Sequence, residues 1–238
     1  MDSVAIASFR AARSHVLQVV AAACLRAGRD PADVTLVAVS KMVDAGRLAS
    51  AVAAGLTLLG ENRVQEAESK APLLPGACWH LIGPLQANKA RRAVEVFNVI
   101  ESVDSLELAS RLDRIAGEAG RAQLGIYLQV NVDRDRAKAG FLPETLEAEL
   151  PALAGLPNLR LLGVMTVGRL VGAADEARPT FTRLRELSGR LRAGSAALGP
   201  GLSMGMSEDY AVAVEEGATL IRVGRALFGA RPAGDAPA

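Results

Sequence analysis

Two side chains stand out because their charge sits in apolar surroundings. Lys41 closes the run Val34-Thr35-Leu36-Val37-Ala38-Val39-Ser40 and carries a primary amine to the mouth of what reads as a buried strand. Burial disfavours an ammonium and lowers its pKa, which is how Schiff-base lysines are activated to attack carbonyl carbon. The plain alternative is a strand-end lysine that snorkels into water. Arg222 lies inside Leu220-Ile221-Arg222-Val223. A guanidinium in such a strand must find an acceptor, either a ligand atom or a neighbouring carboxylate.

Anion chemistry is suggested by Ser203-Met204-Gly205-Met206-Ser207 and Gly224-Arg225-Ala226-Leu227-Phe228-Gly229. Gly224 lets backbone approach an anion closely, and a short helix starting near Arg225 would aim N–H groups at it. The competing role for Ser207 is to cap a helix whose first turn holds Glu208 and Asp209. Asn62, in Gly60-Glu61-Asn62-Arg63, is suited to bind a ring hydroxyl or to cap a helix. His80 beside an apolar run reads as a satisfied core residue, and Met165 and Phe228 read as packing. Arg91 with Arg92 and the run Asp133-Arg134-Asp135-Arg136 read as solvated faces.

Positioning such groups requires a scaffold, and strand-like runs recur along the chain at 34–40, 57–60, 79–82, 97–101, 124–131, 159–165, 201–204 and 218–223. Helical patterns separate them. Asp44 is placed to cap a helix that ends at Gly55, Asp104 with Glu107 has a capping-box pattern, and Gly120 and Gly217 read as helix stops. Eight alternating strands predict an α/β fold, a single (β/α)8 TIM-type barrel with an extra N-terminal helix. An open doubly wound sheet is the runner-up, and the absence of a GxGxxG turn after the first strand argues against it. Barrel sites lie at the C-terminal strand ends, and phosphate is often held after strands seven and eight. Lys41, Asn62, Ser207, Arg222 and Gly224 all map to that face.

With 238 residues, 50% hydrophobic and 22% charged, the chain has material for a large core. A formal net charge of +1 gives no footprint for nucleic acid and points to a small-molecule partner. Cys24 and Cys78 form no CxxC pair, and only His15 and His80 could supply imidazole, so no zinc site is expected and a reducing cytoplasm fits. Phe9, Val16, Val20 and Cys24 recur at helical spacing, so the apolar stretch 16–25 reads as an amphipathic helix rather than a signal segment. No run reaches the roughly 20 apolar residues of a membrane span. The tail 232–238 reads as disordered, leaving 1–231 for the barrel.

Six segments in order, LVAVSK (36–41), GENRVQE (60–66), WHLIGPLQANK (79–89), VNVDRDRAKAGF (130–141), GVMT (163–166) and SMGMSEDYAVAVEEGATLIRVGRALFG (203–229), closely resemble the pyridoxal phosphate homeostasis protein family. The resemblance covers residues 34 to 231. It implies a barrel similar to the N-terminal domain of alanine racemase, with pyridoxal 5′-phosphate (PLP) held as a Schiff base on Lys41. It further implies that Asn62 approaches the pyridine O3′, that Arg222 approaches the ring nitrogen, and that Ser207, Gly224 and Arg225, with Ser203 a weaker candidate, bind phosphate. Arg225 stands where many relatives carry Thr, and Ala139 where Ser is common.

The resemblance also implies intracellular PLP carriage and homeostasis without established turnover, with apo PLP-dependent enzymes as recipients. An amino-acid racemase is the alternative, and a cofactor-free Schiff-base aldolase is a third reading. Arg222 fits the carrier, because an arginine stays protonated and disfavours protonation of the ring nitrogen that makes PLP an electron sink, but alone it is insufficient, because alanine racemase also uses an arginine there. The chain stops soon after its eighth strand, so the second acid/base that a racemase draws from a further domain is not expected, and a monomer is. Tyr127 in a strand and Tyr210 in a helix's first turn are not obvious replacements.

Overall fold

The computed structural model describes residues 2–121, 123–168 and 172–229. The expected tail 232–238 lies outside them. Eight parallel strands close in sequence order: β1 (Thr35–Val39), β2 (Leu58–Glu61), β3 (Cys78–Leu81), β4 (Val99–Val103), β5 (Leu124–Gln129), β6 (Leu159–Met165), β7 (Gly201–Ser203) and β8 (Leu220–Val223). β8 pairs back to β1 with Val37 beside Arg222 and Ala38 beside Val223. Closure removes the free edges that the doubly wound alternative would have left.

Helices α2 (Ala45–Ala53), α3 (Val64–Lys70), α4 (Ala90–Val96), α5 (Leu106–Glu118), α6 (Pro143–Ala154), α7 (Arg178–Gly194) and α8 (Tyr210–Glu215) form the outer ring, and the helix after β8, α9 (Arg225–Phe228), is a single turn. The N-terminal helix α1 (Ser3–Ala27) packs against α2, α8 and α9 and occupies the outer position left by that short eighth helix. Phe9, Val16, Val20 and Cys24 are its buried stripe, as their spacing predicts, and Asp2 caps it by accepting from the amides of Val4 and Ala5. Phe9 meets Phe228 edge-on at 5.6 Å, and the Arg47 guanidinium lies 5.7 Å from the Phe9 ring centre.

Local punctuation is mostly as expected. Asp44 caps α2 by accepting from the Arg47 amide at 2.8 Å, and Gly55, Gly120 and Gly217 all have positive φ. The cap of α5 is Ser105, which accepts from the Leu108 amide, and not Asp104. Asp133, read as part of a solvated run, is instead buried against α7, where it accepts from Thr180 and Arg183.

Most of the core lies between barrel and helices, where Leu48, Leu59, Trp79, Phe97, Ile100, Leu112 and Phe181 are buried. The barrel interior holds a smaller apolar layer of Val37, Tyr127, Met165 and Leu220, flanked by Leu58, Val99 and Leu162. Side chains alternate along a strand, so the next inward positions above Val99, Gly201 and Leu220 are Glu101, Ser203 and Arg222. The upper layer of the barrel is therefore polar, and it faces the C-terminal rim. Among the described residues, no helix is long and apolar enough to cross a membrane.

Candidate functional site

β1 delivers Lys41 to the rim. Its register pairs Val39 with Gly60 of β2, so Lys41 and Asn62, each two residues further on, leave adjacent strands at the same level and with inward parity. Lys41 is half-buried, and so is Asn62. Capping does not explain Asn62, because the N-cap of α3 is Arg63 and the cap makes no side-chain hydrogen bond. The Asn62 backbone is held by close approach to the loop after β3. A Cβ at Gly83 would stand 2.4 Å from the Asn62 carbonyl oxygen, so only glycine fits there. The Gly83 carbonyl is in turn fixed by the buried hydroxyl of Ser102 at 2.6 Å.

On the far side of β1, β8 delivers Arg222 and Gly224. Arg222 is 4% exposed, and its guanidinium donates to the Thr166 carbonyl at 2.7 Å and to the Ser203 hydroxyl. That hydroxyl donates to Glu101 Oε2 at 2.5 Å, while Glu101 Oε1 lies 2.7 Å from His80 Nδ1. The barrel's polar layer is thus one chain, His80–Glu101–Ser203–Arg222–Thr166. Burial opposes charge on His80, but contacts with Cys78 and Glu101 outweigh it and raise the imidazole to about 9. Burial pushes the Glu101 carboxyl up, yet His80, Arg222 and Ser203 together hold it below the usual range. Burial lowers Arg222 while Glu101, Asp209 and Tyr127 oppose that shift. His80 is the satisfied core histidine its context suggests. Both alternatives for Arg222 turn out to be compatible, since it is paired with a carboxylate 3.9 Å away while lying at the top of the barrel.

The loops after β7 and β8 meet. The Gly224 amide donates to the Ser207 hydroxyl at 3.2 Å. Ser207 does not cap α8, which begins at Tyr210 with Asp209 at its N-cap. Asp209 turns back and accepts from the Met206 amide at 2.6 Å, tightening the loop. Gly205 has φ +92, and a Cβ there would stand 2.6 Å from that of Ala213, so the turn onto α8 requires glycine. Arg225 pairs with Glu208 at 3.0 Å across the two loops, with both side chains largely exposed. Ser203, grouped with the phosphate residues by resemblance, points its hydroxyl into the barrel between Glu101 and Arg222 rather than toward Ser207.

The geometry therefore collects Lys41, Asn62, Ser207, Arg222, Gly224 and Arg225 at one rim and draws Ser203 beneath it. Sequence reasoning missed Glu101, although an acid ending the apolar run Phe97-Asn98-Val99-Ile100-Glu101 is the same signal that marked Arg222. Two clefts of about 580 and 520 Å³ lie elsewhere, beside α6 and α7. The first is lined by the Arg183–Asp133 ion pair and by Arg134, whose guanidinium is paired with Glu144, and neither contains any residue of the rim.

The fold and rim are those of a closed parallel (β/α)8 barrel with a lysine just after its first strand and a buried arginine on its last. The sequence profile of the alanine racemase N-terminal domain matches residues 20–232. The chain belongs to the pyridoxal phosphate homeostasis protein family: the protein of that name from Pseudomonas aeruginosa is 46% identical over 214 residues, covering 89% of this chain and 90% of the relative. The one from Synechocystis is 41% identical over 204 residues, covering 84% and 93%. Among solved structures, PipY of Synechococcus elongatus with PLP bound is 46% identical with a TM-score of 0.79, over 90% of this chain and all 100% of that one. Alanine racemase of Corynebacterium glutamicum shares the fold, with a TM-score of 0.68 at 17% identity over 95% of this chain and 63% of that one.

Proposed function

We propose that this protein binds PLP at the C-terminal rim of its barrel, with Lys41 as the covalent attachment point, and serves PLP homeostasis rather than turnover. The observation that carries the reading is convergence: a strand-end lysine, a buried guanidinium and the Ser207–Gly224 contact meet at one strand-end face. The donor set suits the group. Gly224 and Ser207, now hydrogen-bonded to each other, would offer a backbone N–H and a hydroxyl to a phosphate, and Arg225 would add positive charge beside them, although Glu208 partly offsets it. By the family resemblance, Asn62 would approach O3′ and Arg222 the ring nitrogen. When bound, PLP supplies an aldehyde carbon that an amine can hold and a ring that can withdraw electrons.

The same geometry favours a carrier over a racemase. Arg222 is locked by Glu101, Ser203 and Thr166 and stays a donor, so it does not promote ring protonation. Neither tyrosine stands opposite Lys41 as a second acid/base. Tyr127 packs in the apolar layer below, its hydroxyl pushed up to about 12, chiefly by burial. Tyr210 is buried where α8 meets Gly205. The reading extends to an intracellular, monomeric protein that passes PLP to apo PLP-dependent enzymes.

Adding PLP to the purified protein should produce a visible absorption band that borohydride abolishes, and peptide mapping should place the reduced pyridoxyl group on Lys41. Lys41→Ala should keep the fold and lose the adduct. A label on Lys89 or Lys138 would overturn the assignment.

A further inference from the structure

Lys41 is flanked on both sides by backbone groups tied to one ion network on the outer face of the barrel, beneath α3, buried at Glu61 and Lys70 and half-buried at Glu66. On its N-terminal side, Ser40 is fully buried. Its hydroxyl donates to Glu61 Oε1 at 2.8 Å, and its carbonyl accepts from Lys70 Nζ at 3.1 Å. On its C-terminal side, the Met42 amide donates to Glu66 Oε2 at 3.0 Å. Lys70 closes the ring, with Nζ 2.8 Å from Glu61 Oε1 and 3.4 Å from Glu66 Oε2.

This arrangement is costly. Taking an ammonium and a carboxylate out of water costs several kcal/mol per ion, and packed apolar residues often serve stability as well or better. Glu61 has no exposed surface, and its Oε2 has no hydrogen-bond partner, a further cost. Met42 adds strain, because its φ of +63° lies in the left-handed region and the residue is 52% exposed, so packing does not hold it there. What the network does achieve is local: it grips the carbonyl before Lys41 and the amide after it.

We infer that Lys70 is a positioning residue for Lys41. Directly at the Ser40 carbonyl and through Glu66 at the Met42 amide, it fixes the two peptide units that bracket Lys41, so the amine leaves β1 in a single direction toward the rim. The inference rests on the proposed role of Lys41. Lys70 does not compete for the cofactor, since its ammonium already serves three acceptors.

Three variants test it: Lys70→Met, Lys70→Arg and Glu66→Ala. The last spares the Lys70–Glu61 pair and decides the matter if Lys70→Met does not fold. In PLP-free protein, amide exchange at residues 40–43 should speed up about tenfold or more in Lys70→Met and Glu66→Ala, the loss of one hydrogen bond to a charged group, while the β5 amides keep wild-type protection. In PLP-loaded protein, borohydride should still label Lys41, but the PLP dissociation constant should rise roughly tenfold and the pH midpoint of the visible band should move, with Lys70→Arg partly restoring both. Wild-type exchange, affinity and band midpoint in the folded variants would overturn the inference. A wild-type label on another lysine would sink the reading of Lys41 instead, and the exchange result would still judge the clamp.

Discussion

Glu101 and Arg222 face each other across the barrel interior at 3.9 Å, with the Ser203 hydroxyl bridging them. Both side chains are buried, so each charge depends on the other. Breaking a buried pair by removing one partner typically costs about 3–5 kcal/mol, which for a chain of this size corresponds to a fall in Tm on the order of 10 °C. Glu101→Gln should show that loss by thermal melting. Ser203→Ala, which removes only the bridge, should cost less, about 1–3 kcal/mol. A Glu101→Gln protein as stable as the parent would mean that Thr166 and Ser203 hold Arg222 without the carboxylate's charge.

His80 gives this network a pH signature. Its pKa is raised from 6.5 unfolded to about 9 folded, so its contribution to stability is fully present below pH 6.5 and is lost as pH rises toward 9. Glu101 has the opposite dependence: its folded pKa is lowered, so its contribution is present above its unfolded value near 4.5 and fades as pH falls through the folded value. The gap in Tm between wild type and His80→Gln should be widest between about pH 4.5 and 6.5 and narrow toward pH 9. A gap independent of pH would show that His80 acts by packing alone.

At the rim, Ser207 and Arg225 should separate PLP from unphosphorylated pyridoxal. A hydrogen bond to a charged group is worth about 1.5–3 kcal/mol, so Ser207→Ala should weaken PLP roughly tenfold to a hundredfold and pyridoxal little. Arg225→Glu should also weaken PLP more than pyridoxal. Equal weakening of both ligands by Arg225→Glu would show that residue 225 serves Glu208 and not the phosphate.

The carrier reading makes a chemical prediction. Incubated with L-alanine in deuterated water, the PLP-loaded protein should place no deuterium at Cα beyond what free PLP achieves, because Arg222 leaves the ring a poor electron sink and neither tyrosine faces Lys41 as a second acid/base. Catalytic appearance of D-alanine, absent in Lys41→Ala, would make the carrier reading untenable.

Much of this molecule is written locally. Eight apolar runs separated by helix caps and glycine stops define the alternation, and the strands observed fall within two residues or so of those runs because period and punctuation are properties of adjacent residues. Lys41 at the end of the first run and Arg222 inside the last were visible for the same reason. Where several local caps compete, sequence is a weaker guide: Ser105 took the position that the Asp104–Glu107 pattern suggested, since both residues can accept from a first-turn amide.

Partner choice belongs to the tertiary structure. Ser207 had a local role available as a cap, yet barrel closure set it beside Gly224 instead. Ser203 exchanged an expected place at the rim for one between Glu101 and Arg222, and Asp133 left a charged run to meet Thr180 and Arg183. Lys70 and Glu61 found each other beneath Lys41 only because α3 folds back over β2. A buried charge must take whatever partner the closed barrel brings within hydrogen-bond reach, and that proximity between residues distant in sequence is set by strand register and closure, which no local pattern encodes.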